Sequence, residues 1–263
     1  MLPRAIPPHL MLAFMLMTAC DNQGPTSPLE TVVARPVMLD DHSTSSPQRD
    51  VTTQAIAPLP KFDPGNFVAL IDHPYFPLRP GTRYLYHGFD GDAPLRNVID
   101  VTNQEKTILG VKVVVVLDRV FVDGVLTERT LDYFAQDKEG NVWYLGEDTK
   151  EYENGKVVST AGSFLAGKEG AKAGIILRAH PKVGETTEQE IAPGVAEDRA
   201  TVVSLDAGVH TPYGNFDHCI KTRDFTPLEP GAVEVKFYCK GVGFTRGRDV
   251  TGGNVRLALT RIE

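Results

Sequence analysis

The sequence predicts an all-β domain, an antiparallel meander that curls into a barrel or half-barrel, carried on a disordered N-terminal tether. Three observations carry that expectation. Apolar residues beyond residue 66 recur with period two, as in Val255, Leu257 and Leu259 against Arg256 and Thr260. Short turn signals such as Asp123-Gly124 and Asn154-Gly155 punctuate the runs. Helical periodicity is nearly missing, and no repeat of 20–50 residues is present to suggest a propeller.

The elements follow in chain order. Arg4 precedes a short apolar run, Leu10 to Met17, and the small pair Thr18-Ala19. This pattern reads as a signal peptide over residues 1–19, too short for a span of about 20 apolar residues. Leu16-Met17-Thr18-Ala19-Cys20 resembles a lipobox, in which Cys20 is the lipidated residue and becomes the mature N-terminus. Acyl chains on Cys20 would anchor the protein in the bacterial cell envelope, facing the periplasm or exterior. Asp21 resembles an inner-membrane retention signal. Residues 20–66 are rich in Pro, Ser, Thr, Gln and Asp without periodicity, and read as the tether.

The single domain is expected over residues 67–263. His73 to Thr82 leads into a first strand, Arg83 to Phe89. Val111 to Val122 is apolar on both faces in its middle, and Val125 to Gln136 returns beside it as a hairpin. Asn141 to Gly146 and Glu151 to Val158 follow. Ala161 to Gly174, Gly- and Ala-rich without a period, reads as a long surface loop. In Val233 to Phe237, alternation puts Val233, Val235 and Phe237 on a buried face and Glu234 and Lys236 on a wet one.

Export would place Cys219 and Cys239 in an oxidising compartment, and the turn at 226–231 sets them roughly opposite one another, as a disulfide requires. Their faces disagree under the same alternation. Cys239 falls with Val235 and Phe237, Cys219 with Asp217, Lys221 and Arg223, so a bulge is needed to reconcile them.

Four stretches together resemble a group of uncharacterised bacterial secreted β-domain lipoproteins. They are Tyr75 to Tyr84, Asn141 to Thr149, Tyr152 to Val158, and Tyr238-Cys239-Lys240-Gly241-Val242-Gly243. The resemblance covers most of residues 67–246 and implies no activity. It departs from the pattern at Cys239-Lys240, where a small residue and Pro are expected.

For function, 27 basic against 34 acidic residues, net −7, argue against nucleic acid as a partner. The densest group able to bind a ligand or do acid/base work is Asp132, Trp143, Tyr144, Glu147, Asp148 and Tyr152. The competing reading is that the aromatics pack the sheet and the acids lie on its wet face. His210, His218 and Cys219 fit no metal-site spacing, and neither a metal nor a cofactor is expected. His73 and His180, each before a Pro, read as loop residues. No Gly-x-Ser-x-Gly elbow, HExxH or phosphate loop occurs. The sequence thus points to a membrane-anchored binding or carrier module for a small apolar or amphipathic ligand, a small molecule or lipid. The alternatives are an envelope enzyme using Asp132, Glu147 and Asp148, and a protein-interaction lipoprotein in envelope assembly.

Overall fold

A computed structural model of the protein describes residues 56–263. Cys20, Asp21 and the expected signal peptide lie outside the described residues. Sixteen strands form one antiparallel system. In chain order they are β1 (Phe67–Val68), β2 (Arg83–Asp90), β3 (Ala93–Ile108), β4 (Val111–Val122), β5 (Val125–Asp137) and β6 (Val142–Glu153). There follow β7 (Lys156–Ser159), β8 (Phe164–Leu165), β9 (Lys172–Leu177), β10 (Thr186–Glu188) and β11 (Glu190–Ile191). The last five are β12 (Arg199–Thr211), β13 (Gly214–Phe225), β14 (Val233–Cys239), β15 (Gly243–Thr251) and β16 (Val255–Ile262).

The turns use the residues the sequence singles out. Asp123 and Gly124, and again Asn154 and Gly155, take positive φ angles in succession, the geometry of a tight hairpin whose twist matches the strands it joins. Hairpin follows hairpin along the sheet from β2 to β6, while β16 pairs back onto β2. The two remaining edges approach through one short stretch. Thr186 to Glu188 pair with β12, Glu190 and Ile191 pair with β9, and Gln189 links them. The sheet is thereby a nearly closed barrel. At this seam Gly174 has no room for a side chain: a Cβ would stand 2.1 Å from the Gln189 carbonyl oxygen.

Two apolar layers result. Tyr84, Tyr86, Val116, Val120, Phe134, Tyr144, Ile176, Leu257 and Leu259 belong to the interior core. A second cluster, with Val111, Val113, Val115, Tyr133, Trp143 and Ile175, lies on the outer face of β4, β5, β6 and β9. The cover for that face comes from a segment whose composition reads as tether. Phe62 and Phe67 pack edge-on against Trp143 with ring centroids 5.6 and 5.9 Å away, Leu59 joins them, and Ala57 donates to the Thr186 carbonyl. Residues 56–66 therefore belong to the folded body, because their few apolar side chains have an exposed apolar face to bury. Ala161 to Gly174 is likewise no surface loop. Phe164 is buried in the interior core, β8 pairs with β6, and β9 begins at Lys172.

The reading of β14 is reversed. Glu234, Lys236 and Tyr238 point into the barrel, and Phe237 and Cys239 point outward to a small cluster with Val209 and Cys219. That reversal removes the conflict over the cysteines. Lys221 stands opposite Phe237 and Arg223 opposite Val235 on the outer face, and the same register carried one residue past Ile220 and Tyr238 sets Cys219 opposite Cys239. The Cys219–Cys239 disulfide closes across this pair with Cα atoms 4.4 Å apart and needs no bulge between β13 and β14.

Candidate functional site

The barrel interior is lined by a row of acids. On β4, β5 and β6 the inward positions lie in register, with Asp118 beside Thr130 and Thr149, and Asp132 beside Glu147. Glu147 reaches the inside through an irregularity. Between the pairs Phe134↔Tyr144 and Asp132↔Glu147, β6 carries one extra residue, with Gly146 at φ 134°. The bulge turns Glu147 to the side Tyr144 already occupies. Gly146 is also where β8 crosses closely, a Cβ there meeting the Phe164 carbonyl oxygen at 2.3 Å.

Tyr144, Asp132 and Glu147 form one hydrogen-bonded unit. The Tyr144 hydroxyl lies 2.7 Å from Asp132 Oδ1 and 2.8 Å from Glu147 Oε2. A phenol has one proton, so one of the two carboxyl groups must carry a hydrogen of its own. Burial is the main cause that raises both acids: Asp132 is pushed up to about 7, and Glu147 is held well above its ordinary range, with Asp132 adding to the effect. Tyr144 thus donates to one of the two carboxyl groups and accepts from the other. Burial also raises Asp118, Glu128 and Glu190 well above the usual carboxylate range.

Against these acids stands a single buried lysine or arginine among the described residues, Lys236. Its Nζ lies 3.2 Å from Asp224 and 3.3 Å from Glu234. Burial works to lower this ammonium, but Glu234 and Asp224 outweigh it and keep it charged. Desolvation raises Glu234 to about 7 and Asp198 to about 8, opposed in both cases by Lys236.

Next to this polar row lies a small apolar cavity of about 60 Å³. Phe76, Leu78, Tyr84, Tyr86, Phe134, Tyr238 and Phe244 line it, and its charged lining is Asp118 and Lys236. Its cover is the segment before β2. Phe76 reaches in to Phe134 and Tyr238, with centroids 5.5 and 6.0 Å away. Tyr84 donates to the Pro77 carbonyl, and Gly241 donates to that of Pro74 at 2.7 Å. Two of the stretches that carry the family resemblance, at 75–84 and 238–243, thus meet at one place. His73 anchors the cover and is no simple loop residue. It is 2 % exposed, its Nε2 lies 3.1 Å from the Arg178 carbonyl, and its Nδ1 accepts from the Tyr75 amide. Burial holds its pKa below the ordinary value.

Of the six residues expected to cluster, three do so. Trp143 faces the outer layer and donates to Asp137, because it alternates with Tyr144 along β6. Asp148 points outward and pairs with Lys150. Tyr152 stands opposite Val157 in the exposed hairpin. His210 and His218 are exposed and bond to Asn215 and Asp206, and no group of ligating side chains suited to a metal occurs among the described residues. Missed from the sequence were Asp118, Glu128, Glu190, Asp198, Asp224, Glu234 and Lys236. The signal available for Asp118 was hairpin arithmetic: counting back from Asp123-Gly124 with one bulge sets it opposite Thr130, beside Asp132.

Neither a family model nor a curated protein matches the chain. Two solved structures are similar to it. One, assigned as an exported protein with a YmcC-like fold, is from Bacteroides fragilis, with 15% identity and a TM-score of 0.39 over 75% of this chain and 99% of that one. The other, assigned as a lipoprotein, is from Parabacteroides distasonis, with 13% identity, a TM-score of 0.39 and the same coverage.

The interior acids make stability depend on pH. Asp132, Glu234 and Asp198 hold protons in the folded state up to about 7, 7 and 8, whereas unfolded they release them near 3.8, 4.5 and 3.8. Between those limits the folded state binds more protons, so stability falls as pH rises, by up to about 1.4 kcal/mol per pH unit for each group. His73 acts oppositely, costing stability as pH drops below its unfolded value of 6.5. The acids outnumber it. Urea midpoints are expected to be higher at pH 5 than at pH 8, and the reverse order would contradict the buried acid row.

Proposed function

We propose that the protein is a lipid-anchored envelope module that binds a small apolar or amphipathic ligand in the aromatic cavity beneath residues 73–78. The observation that carries this reading is that cavity, ringed by aromatic side chains and covered by a segment that carries Phe76 into its mouth. Such a concave apolar site with a few polar groups is the usual form of a small-molecule site. Its volume suits a slender group of a few carbons, and a longer ligand enters as Phe76 swings out. The envelope location rests on the signal-like first 19 residues, the lipobox at Cys20 and a disulfide of the kind found in oxidising compartments.

Two experiments test the two halves. Cys20→Ser is expected to abolish metabolic labelling with palmitate and to release the full chain from membranes; unchanged labelling refutes the anchor. Phe76→Ala removes the side chain that fills the mouth, so it is expected to cost about 3–5 kcal/mol of stability. The same variant is expected to bind hexanol about tenfold tighter than the wild type in calorimetry. Absence of hexanol binding by both proteins would end the binding reading.

A further inference from the structure

The cavity has a polar end whose hydrogen-bonding needs the protein leaves open. Asp118 lines it and is 1 % exposed. Its Oδ1 accepts from Asn97 Nδ2, while Oδ2 has no partner. Asn97 Oδ1, fully buried on the neighbouring strand, has none either. Asn97 Oδ1, and Asp118 Oδ2 once that carboxyl ionises, are therefore acceptors without a donor, and a buried acceptor left without one costs about 1–3 kcal/mol.

The other polar groups around the cavity are accounted for. Tyr84 and Tyr86 donate to the carbonyls of Pro77 and Phe244. Lys236 is held between Asp224 and Glu234. Tyr238 can donate or accept, so it sets no preference. What remains unmet is acceptor capacity, beside an interior that holds many carboxyl groups and one ammonium.

We infer that the cavity selects a ligand with a hydrogen-bond-donating, cationic amine at the end of a slender apolar body, its ammonium reaching Asp118 Oδ2. This rests on the binding reading above and specifies its ligand class. An anionic head supplies no donor to Asp118, and Lys236, the cation on the lining, is already held by Asp224 and Glu234, so fatty acids are disfavoured. An ammonium supplies three donors on a compact charge.

The proton balance follows from the surroundings. Burial and the charge of Asp132 hold the Asp118 carboxyl well above its usual range, against Asn97 and Arg119, which favour its ionised form. When an ammonium binds, Asp118 ionises to pair with it, and the displaced proton leaves to solvent. Asp132 on β5 and Lys236 on β14 keep their own partners throughout.

The test is calorimetry on the full chain carrying Cys20→Ser, with hexylamine, hexanol and hexanoate at pH 7. Hexylamine is expected to bind at least tenfold tighter than hexanoate, with a heat that varies with buffer ionisation as release of a proton requires. Asp118→Asn, which keeps the shape and the acceptor for Asn97, is expected to abolish both that preference and the proton release. Hexanoate binding as tightly as hexylamine, or hexylamine binding without proton release, would overturn the inference while leaving a binding module. The proton-release measurement uses only the Asp118 protein, so it decides the matter even where Asp118→Asn does not fold. If none of the three compounds binds, the binding reading fails as well.

Discussion

Lys236→Met is expected to destabilise the domain by roughly 3–5 kcal/mol, the cost of removing one partner from a buried ion pair. The side chain is nearly isosteric, so the loss is electrostatic and not a cavity effect. Asp224 and Glu234 would be left inside the barrel without their cation, and Asp198 and Glu190, which also feel Lys236, would lose its field. The acids can respond by taking up protons. The penalty is therefore expected to be small at pH 5 and full at pH 8, read as urea midpoints for variant and wild type at both values. A triple variant with Asp224→Asn and Glu234→Gln should recover most of the loss at pH 8. A penalty under about 1 kcal/mol at pH 8 would mean that the pair is solvated and that the interior is not as dry as its burial implies.

Gly174→Ala is expected to cost about 3 kcal/mol, at the upper end for overpacking. The obstacle is backbone: the added methyl would meet the Gln189 carbonyl oxygen at 2.1 Å and that of Glu188 at 2.8 Å, atoms that cannot rotate away as a side chain can. The stretch 186–191 would have to separate from β9, opening the barrel at its seam. Gly208→Ala in β12 is the matched control. Its nearest neighbour would be 3.6 Å away at ordinary φ, so it should change stability by no more than about 0.5 kcal/mol. Equal effects from the two substitutions would show that the seam does not hold the fold.

The fold class was legible because period-two alternation and paired turn residues survive in the sequence of any hairpin meander. Faces were less so, and β14 shows why. Val233, Val235 and Phe237 form the more apolar set, so a rule that sends apolar residues inward points the strand the wrong way. The barrel violates that rule locally by ion-pairing Glu234 and Lys236 inside and spending Phe237 on the outer cluster around the disulfide. β5 poses a related difficulty. Both of its faces are buried near its end, because residues 59–67 cover the outer one, and no alternation survives to distinguish them. Of the candidate site, Asp132, Tyr144 and Glu147 were legible as a dense acidic and aromatic stretch. The bulge at Gly146, which decides that Glu147 joins Tyr144 while Asp148 does not, was not.

The seam between β2 and β16 ties Arg83 to Glu263 through reciprocal backbone hydrogen bonds. A chain synthesised from its N-terminus presents the free edge of β2 long before its partner emerges. Until roughly 180 further residues have followed, that edge is an open template for pairing with other chains, the hazard that long-range strand closure brings.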